Sequence, residues 1–292
     1  MSDNYTLVSL ANGTFTVRSN AERETFHPVV GPVAEAEALY VRQLKLRERA
    51  AGRPEPGKDT GAEEFVIWDI GLGAGGNVLT TLHSLKDVSA NLRVVSFDHT
   101  LGSLHFALEH AYQLQFPLGF EAVLEELLGT QYVEFQHGAL RVRWKVQLGD
   151  FPTTLTGGQS LWPSPQAIFF DAYSPARNPD MWTLPLFEKL FRRLDPQRPC
   201  ALATYSRSTI PRVTLLLAGF FVGAGDPVAE KNETTIAANS LQLIERPLGP
   251  RWLERARTSH SAEPLHTNEY RIAPLASETW GRLKRHPQFA QL

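Results

Sequence analysis

The stretch from Phe65 to Asn77, F-V-I-W-D-I-G-L-G-A-G-G-N, constrains this chain more than any other. A run of β-prone apolar residues closes on an acid, Asp69, and opens into Gly71, Gly73, Gly75 and Gly76. Such a loop lets backbone N–H groups approach a ligand closely. Val78, Leu79, Leu82 and Leu85 follow at spacings that share one helix face. Strand, glycine turn and helix together form the first half of a nucleotide-binding α/β unit, whose ligand lies against the helix N-terminus.

The remainder of the chain extends that unit. Alternating residues on either side of Asn12-Gly13 predict a small N-terminal hairpin with a two-residue turn. E-T-F-H-P follows, with Glu24, Phe26, His27 and Pro28, and then a helix from about Val33 to Ala51 carrying Leu39, Tyr40, Leu44 and Leu46. His27 reads here as a loop residue held by a hydrogen bond. Residues 52 to 61, rich in Pro, Gly and charge, read as an exposed linker. The expected organisation is therefore an N-terminal ribbon and helix with linker over 1–62, an α/β domain over 63–245 and an extension over 246–292.

Within the α/β domain, Leu92 to Phe97 predicts a second strand ending at Asp98, and Leu101 to Gln115 a helix. A helix from Phe120 to Leu128 ends at Gly129, and a hairpin around His137-Gly138 feeds a third strand that finishes at Gly149-Asp150. Ala167 to Phe170 is a strand buried on both faces, ending at Asp171. The loop after it, D-A-Y-S-P-A-R-N-P-D-M-W, sits where open α/β sheets bind substrate. Phe220 to Val222 and Thr234 to Ala238 pair as an antiparallel edge hairpin.

Composition excludes little. A formal charge of -2 leaves any nucleic-acid contact to a local patch. Cys200 stands alone, so no intramolecular disulfide forms, and no Cys/His spacing marks a zinc site. The N-terminus lacks the features of a signal peptide, and the apolar run around Leu215 to Ala224 is too short to span a bilayer. The expectation is a soluble, cytoplasmic protein without metal.

The glycines alone satisfy both G-x-G-x-x-G and G-x-G-x-G, which leaves the nucleotide open. Asp69 favours S-adenosylmethionine over NAD, because a carboxylate accepts hydrogen bonds from an amino group and repels a pyrophosphate. Asp98, Asp150 and Asp171 place acids at three further strand tips, which suits a ligand with a sulfonium and an ammonium but no phosphate. Each acid taken singly reads equally as a cap or turn residue.

The stretch around the glycines and A-I-F-F-D-A-Y-S-P-A-R-N-P-D-M-W resemble the methyltransferase component of the bifunctional tRNA 5-methylaminomethyl-2-thiouridine biosynthesis family, MnmC. Q-L-G-D, L-A-T-Y-S, L-L-A-G-F-F-V-G-A-G and E-T-F-H-P with the L-Y helix are similar too, so the resemblance runs from about residue 5 to 255. It implies a class I S-adenosylmethionine-dependent methyltransferase fold, α/β and Rossmann-like, with a seven-stranded sheet and an antiparallel edge hairpin. It also implies methyl transfer to the aminomethyl nitrogen of 5-aminomethyluridine at the tRNA wobble position. The fused family members carry an oxidase after the methyltransferase, and no second nucleotide motif occurs before Leu292, so the reading is of a stand-alone enzyme. Arg177 stands where lysine is expected, which keeps the charge and changes the hydrogen-bond geometry.

On this reading Asp171 accepts a hydrogen bond from the acceptor amine and orients it, with Tyr173 beside it. Asp69, Asp98 and Asp150 hold the amino group, ribose and adenine of the cofactor, Gly71, Gly73 and Gly75 cradle it, and Phe151 packs on the adenine or in the core. Tyr173 and Trp182 are candidates to stack on the uracil, Trp182 equally a structural residue. Arg177 and Asn178 are candidates for the substrate side, and Arg177, Arg207 and Arg212, with the arginine-rich tail from Arg246 to Arg285, for phosphates. The competing readings are a methyltransferase or aminopropyltransferase acting on a polyamine-like amine, an NAD-dependent dehydrogenase, and a degenerate fold serving as a binding module.

Overall fold

The computed structural model describes residues 4–51, 64–157 and 162–290; the linker expected at 52–61 lies outside them. Three strands form a separate ribbon, in the order β1 (Tyr5–Ser9), β2 (Phe15–Ser19) and β3 (Glu24–Thr25). Ser9 pairs with Phe15, so the connection is a longer loop than the two-residue turn expected of Asn12-Gly13. Leu10 N donates to Thr14 O at 2.8 Å and closes that loop, while Gly13 takes its left-handed position at φ 82.

The main sheet contains β4 (Phe65–Ile70), β5 (Ala90–Asp98), β6 (Tyr132–His137), β7 (Leu140–Leu148), β8 (Ala167–Phe170), β9 (Ala201–Thr204), β10 (Phe221–Gly225) and β11 (Thr234–Ala238). Their order is β10-β11-β9-β8-β4-β5-β7-β6. From β7 to β9 the neighbours are parallel, and β11 runs antiparallel to both β9 and β10. The sheet has eight strands where seven were expected, because the first arm of the His137-Gly138 hairpin pairs with β7 and adds an edge strand.

Period-two alternation decides which face each side chain covers. On β4, Phe65 and Ile67 join Leu39, Tyr40, Leu79 and Leu124 on one side of the sheet. Val66, Trp68 and Ile70 join Trp182, Phe187, Val213 and Trp252 on the other. The edge strand β10 is protected by the C-terminal segment: Val222 donates to Gln288 Oε1 at 2.7 Å, and Gln288 Nε2 returns a bond to Val222 O at 2.8 Å.

Helix boundaries depart from expectation in three places. The helix after β3 starts at Pro32, passes into a π-helical turn over Glu37–Arg42 and breaks at Lys45, which adopts φ 50 before Leu46–Ala50 resumes. The helix after β5 covers Gly102–Glu109 and restarts as Ala111–Leu114. The next, Glu121–Thr130, runs through Gly129 and is stopped instead by Gln131 at φ 60. Among the described residues no helix is long and apolar enough to cross a membrane.

Candidate active site

The strand order reverses about β4, with β5 on one side and β8 on the other, so the crevice beyond their carboxyl ends is where an α/β sheet of this type binds its ligand. A cavity of about 890 Å³ opens there. Gly71, Gly73, Asp98, Asp150, Phe151 and Asp171 line it, as do Tyr173 and Asn178. The ribbon closes one side with Tyr5, Glu24, Phe26 and His27.

The glycine loop is shaped for close approach. Gly71, at φ 95, lies so near β8 that a Cβ there would meet the Asp171 carbonyl oxygen at 2.8 Å. Gly75, at φ 81, is the N-cap of the helix Gly76–Leu85, and its added Cβ would meet Leu104 Cδ1 at 2.8 Å. Gly75 therefore shapes the helix start and does not line the cavity, which corrects its expected place in the cradle. Asp98 Oδ2 accepts from Gly73 N at 2.9 Å and Oδ1 from Thr100 N at 3.2 Å, so the second strand tip is tied to the loop. The helix cap weighed for Asp98 is not formed, since Leu101 is the N-cap.

Asp69 is wholly buried beneath the loop and is not part of the cavity wall. Ser96 Oγ donates to its Oδ2 at 2.7 Å, while Oδ1 is buried without a hydrogen-bond partner. Burial, reinforced by the charges of Asp171 and Asp98 against the opposing Ser96 bond, pushes its carboxyl up to about 8. Asp69 is thus set back from the cavity and not placed for the direct ligand contact expected of it.

Asp150 is the N-cap of Phe151–Thr156, accepting from Thr153 N at 2.9 Å, so the cap weighed against its adenine role is present. It faces the cavity beside Phe151, whose ring packs edge-on to Phe97 at 5.0 Å. That places Phe151 both in the core and at the cavity wall.

On the acceptor side, Asn77 Nδ2 donates to Asp171 Oδ2 at 2.7 Å, linking the helix opened by the glycines to the tip of β8. His27, at φ 47, lies between two acids: Nδ1 is 3.4 Å from Glu35 Oε1 and Nε2 is 3.8 Å from Asp171 Oδ2. Burial alone lowers the basicity of this ring, but the Glu35 carboxylate beside Nδ1, with the charge of Asp171, raises it to about 9. Burial likewise raises Asp171, with His27 and Asn77 opposing and Glu35 adding to the rise. Burial raises Glu35 too, and the neighbouring His27 ring overcomes this to leave it below the usual range.

These shifts make a stability prediction. Because the His27 ring is raised, its contribution is complete below its ordinary value of about 6.5 and is lost as pH climbs through about 9. Glu35 is depressed, so its contribution is present above the ordinary carboxylate range and is lost as pH falls through its folded value. The melting-temperature gap between wild type and Glu35→Gln should be widest from about pH 4.5 to 6.5 and close towards pH 10. A gap that persists unchanged at pH 10 denies the charged pair.

Trp182, a candidate stacking surface, has 0% exposure and donates Nε1–H to Tyr173 O at 2.7 Å. It presents no face to a ligand and instead fixes the loop that carries Tyr173. Tyr173 itself is half-buried, its phenol pushed well up by burial, with its ring 6.2 Å from that of Phe26. Arg177 is exposed, lies 3.9 Å from Glu24 Oε1 and does not line the cavity. Arg212, a candidate for phosphate, is buried: Nε donates to Thr235 Oγ1 at 2.9 Å, and its two terminal nitrogens reach Glu233 Oε1 at 2.9 Å and Thr234 O at 2.7 Å. It is a structural fork between a helix and β11. Arg207 stays exposed, whereas Arg246 and Arg282 of the tail pair with Asp226 and Glu188.

The residues present fit S-adenosyl-L-methionine. A cradle that excludes side chains at Gly71, a buried and unpartnered Asp69 oxygen, and acids at the tips of β5 and β8 suit a cationic, phosphate-free ligand. The Asn77 contact, the His27–Glu35 pair and the half-buried Lys231, whose Nζ sits 3.5 Å from the Tyr205 ring centroid, had no assigned part in the sequence reading. Only E-T-F-H-P, with an acid, an aromatic, an imidazole and a proline clustered in a plain ribbon, signalled any of them, and that only for His27.

Residues 116–240 match the family described as S-adenosyl-L-methionine-dependent methyltransferase. The tRNA 5-methylaminomethyl-2-thiouridine biosynthesis bifunctional protein MnmC of Ralstonia nicotianae is 29% identical over 228 residues, 74% of this chain and 32% of the relative. Its namesake in Burkholderia vietnamiensis is 27% identical over 257 residues, 84% of this chain and 36% of the relative. The chain thus spans about a third of the length of these curated relatives. The crystal structure of MNMC2 from Aquifex aeolicus superposes with a TM-score of 0.69 at 24% identity, covering 99% of this chain and 86% of that one, and shares the fold.

Proposed function

We propose that the chain is an MnmC-like, S-adenosyl-L-methionine-dependent methyltransferase whose acceptor is the aminomethyl nitrogen of 5-aminomethyluridine at the tRNA wobble position. The product is 5-methylaminomethyluridine. The observation that carries this reading is the Asn77–Asp171 bond of 2.7 Å, which ties the group that can orient an amine to the helix opened by the glycine loop. S-Adenosyl-L-methionine, when bound, supplies an electrophilic methyl group.

Gly71, Gly73, Asp98, Asp150 and Phe151 form the side of the cavity that holds the cofactor, with Asp69 beneath it. Asp171, Glu24 and Glu35 make the other side acidic, with His27 and Lys231 among them, a surface that draws in a primary ammonium. A volume of about 890 Å³ lies near the top of the range for one small ligand, leaving room for cofactor and nucleoside side by side. With Trp182 buried, Tyr173 and Phe26 are among the aromatic faces that line the cavity and could take a splayed base, and Asn178 adds a polar edge to it.

The test has two arms. S-Adenosyl-L-methionine should raise the melting temperature in proportion to its binding to the native state, while NAD should leave it unchanged. Methyl incorporation should then appear in tRNA bearing 5-aminomethyluridine and be absent from tRNA lacking it. Equal incorporation into spermidine and no dependence on the modified base would transfer the function to small amines.

A further inference from the structure

We propose that His27, lying beside Glu35, is the partner through which Asp171 keeps the acceptor amine unprotonated, so that the N-terminal ribbon supplies the acid–base half of the site. This rests on the acceptor being a primary amine, as proposed above.

The geometry is that of an imidazole held between two carboxylates, 3.4 Å from Glu35 and 3.8 Å from Asp171. The ring comes from the ribbon loop, Glu35 from the helix Pro32–Ala36 and Asp171 from the end of β8. His27 occupies a left-handed backbone position at φ 47, a conformation that costs a non-glycine residue free energy and so must be held by its surroundings. Asn77 fixes Asp171 from a fourth element. The other titratable groups around the cluster are Glu24 from β3, Tyr40 from the π-helical turn, Asp69 from β4, Tyr205 after β9, and Lys231 from the loop before β11.

A primary alkylammonium, with a pKa of about 10, is almost wholly protonated at neutral pH and has no lone pair to offer. An ordinary carboxylate is a base weaker by about six powers of ten, so Asp171 alone is a poor resting place for the proton. An imidazole flanked by two carboxylates is far closer to the amine in basicity. An ammonium and an imidazolium drawn to the same Asp171 carboxylate repel each other, so the pair gives up its first proton at a lower pH than either group would alone beside the same carboxylates.

The proton count then balances. The ring and the amine enter with one titratable proton each, and one is lost to solvent. The remaining proton settles on His27 Nε2 by way of the Asp171 carboxylate, leaving the nitrogen lone pair free. That lone pair forms the nitrogen–methyl bond as the methyl–sulfur bond breaks, its electron pair remaining on sulfur. The product leaves as a secondary ammonium, and His27 keeps its proton for the next turnover. One proton is released per methyl group transferred.

The experiment is kcat/KM from pH 6.5 to 10 for wild type and His27→Gln, with tRNA carrying 5-aminomethyluridine, beside an NMR titration of 15N-labelled histidine. His27→Gln should lose about 100-fold at pH 7. It should recover to within about threefold of wild type at pH 10, where solvent itself deprotonates much of the amine. One imidazole should titrate well above the ordinary histidine range in wild type, vanish in His27→Gln and fall back towards that range in Glu35→Gln. A loss of equal size at every pH, an unaffected His27→Gln, or an ordinary titration of the ring overturns the inference. An inactive wild type overturns the acceptor assignment and this inference with it, whereas an active wild type beside an indifferent His27→Gln overturns this inference alone. Should His27→Gln fail to fold, Glu35→Gln carries the same pH test with the same expected recovery.

Discussion

Replacing Asp171 by asparagine is expected to cut methyl transfer about 10³-fold while leaving S-adenosyl-L-methionine binding within about threefold of wild type. The substitution is nearly isosteric, and the new amide can turn its oxygen towards Asn77 Nδ2, so the 2.7 Å contact between the glycine-loop helix and β8 survives. What disappears is the negative charge. Burial makes that charge costly and raises the carboxyl, yet the His27 ring and the Asn77 amide favour the charged form and pull it back. An amide cannot relay a proton from an alkylammonium, and it cannot hold an imidazolium at 3.8 Å. The check is a pair of measurements on one preparation: calorimetric binding of S-adenosyl-L-methionine, and single-turnover transfer to tRNA bearing 5-aminomethyluridine. Near-normal transfer removes Asp171 from the chemistry, and a parallel loss of binding moves its role to the cofactor.

Local chemistry was legible in the sequence where it acts within a few residues. The strand, glycine turn and helix around Phe65 to Asn77 follow from β-propensity, backbone freedom and helical spacing, none of which needs a distant partner. The edge hairpin between Phe221–Gly225 and Thr234–Ala238 was legible for the same reason. Pairings across the fold were not. Asn77 and Asp171 are 94 residues apart, and nothing local to either announces that β4 and β8 are neighbours. His27 read as an ordinary loop residue because its two carboxylates come from different elements. Trp182 and Arg212 failed in the opposite direction, since an indole on a functional loop and an arginine early in a helix look the same in sequence whether they face a ligand or the core. The Tyr173 carbonyl decides the first and the Thr234–Glu233 fork decides the second. Sheet geometry, the β4–β8 adjacency, supplies the Asn77–Asp171 contact that the sequence could not.

That adjacency makes Gly71→Ala the second large expected effect. Gly71 holds φ 95, a backbone position that an L-residue reaches only at a cost of about 1–2 kcal/mol. Strain alone would lower stability without stopping turnover. The second cost is steric: an alanine Cβ would stand 2.8 Å from the Asp171 carbonyl oxygen, and that neighbour is backbone, which cannot swing aside as a flexible side chain does. Relief requires the tips of β4 and β8 to part, although they are held by a parallel ladder and by Asp171 N donating to Ile70 O at 2.9 Å. Parting them displaces the glycine loop and Asp171 together, one on the cofactor side of the cavity and the other on the acceptor side. Since displacements near 1 Å cost about 100-fold in a positioned reaction, disturbing both sides should lower kcat/KM about 10³-fold or more. The fall should appear in S-adenosyl-L-methionine affinity as well as in transfer, which separates it from Asp171→Asn, where affinity is kept. An alanine variant that binds the cofactor normally and transfers methyl at the wild-type rate would show that the close contact between the two strand tips has no part in catalysis.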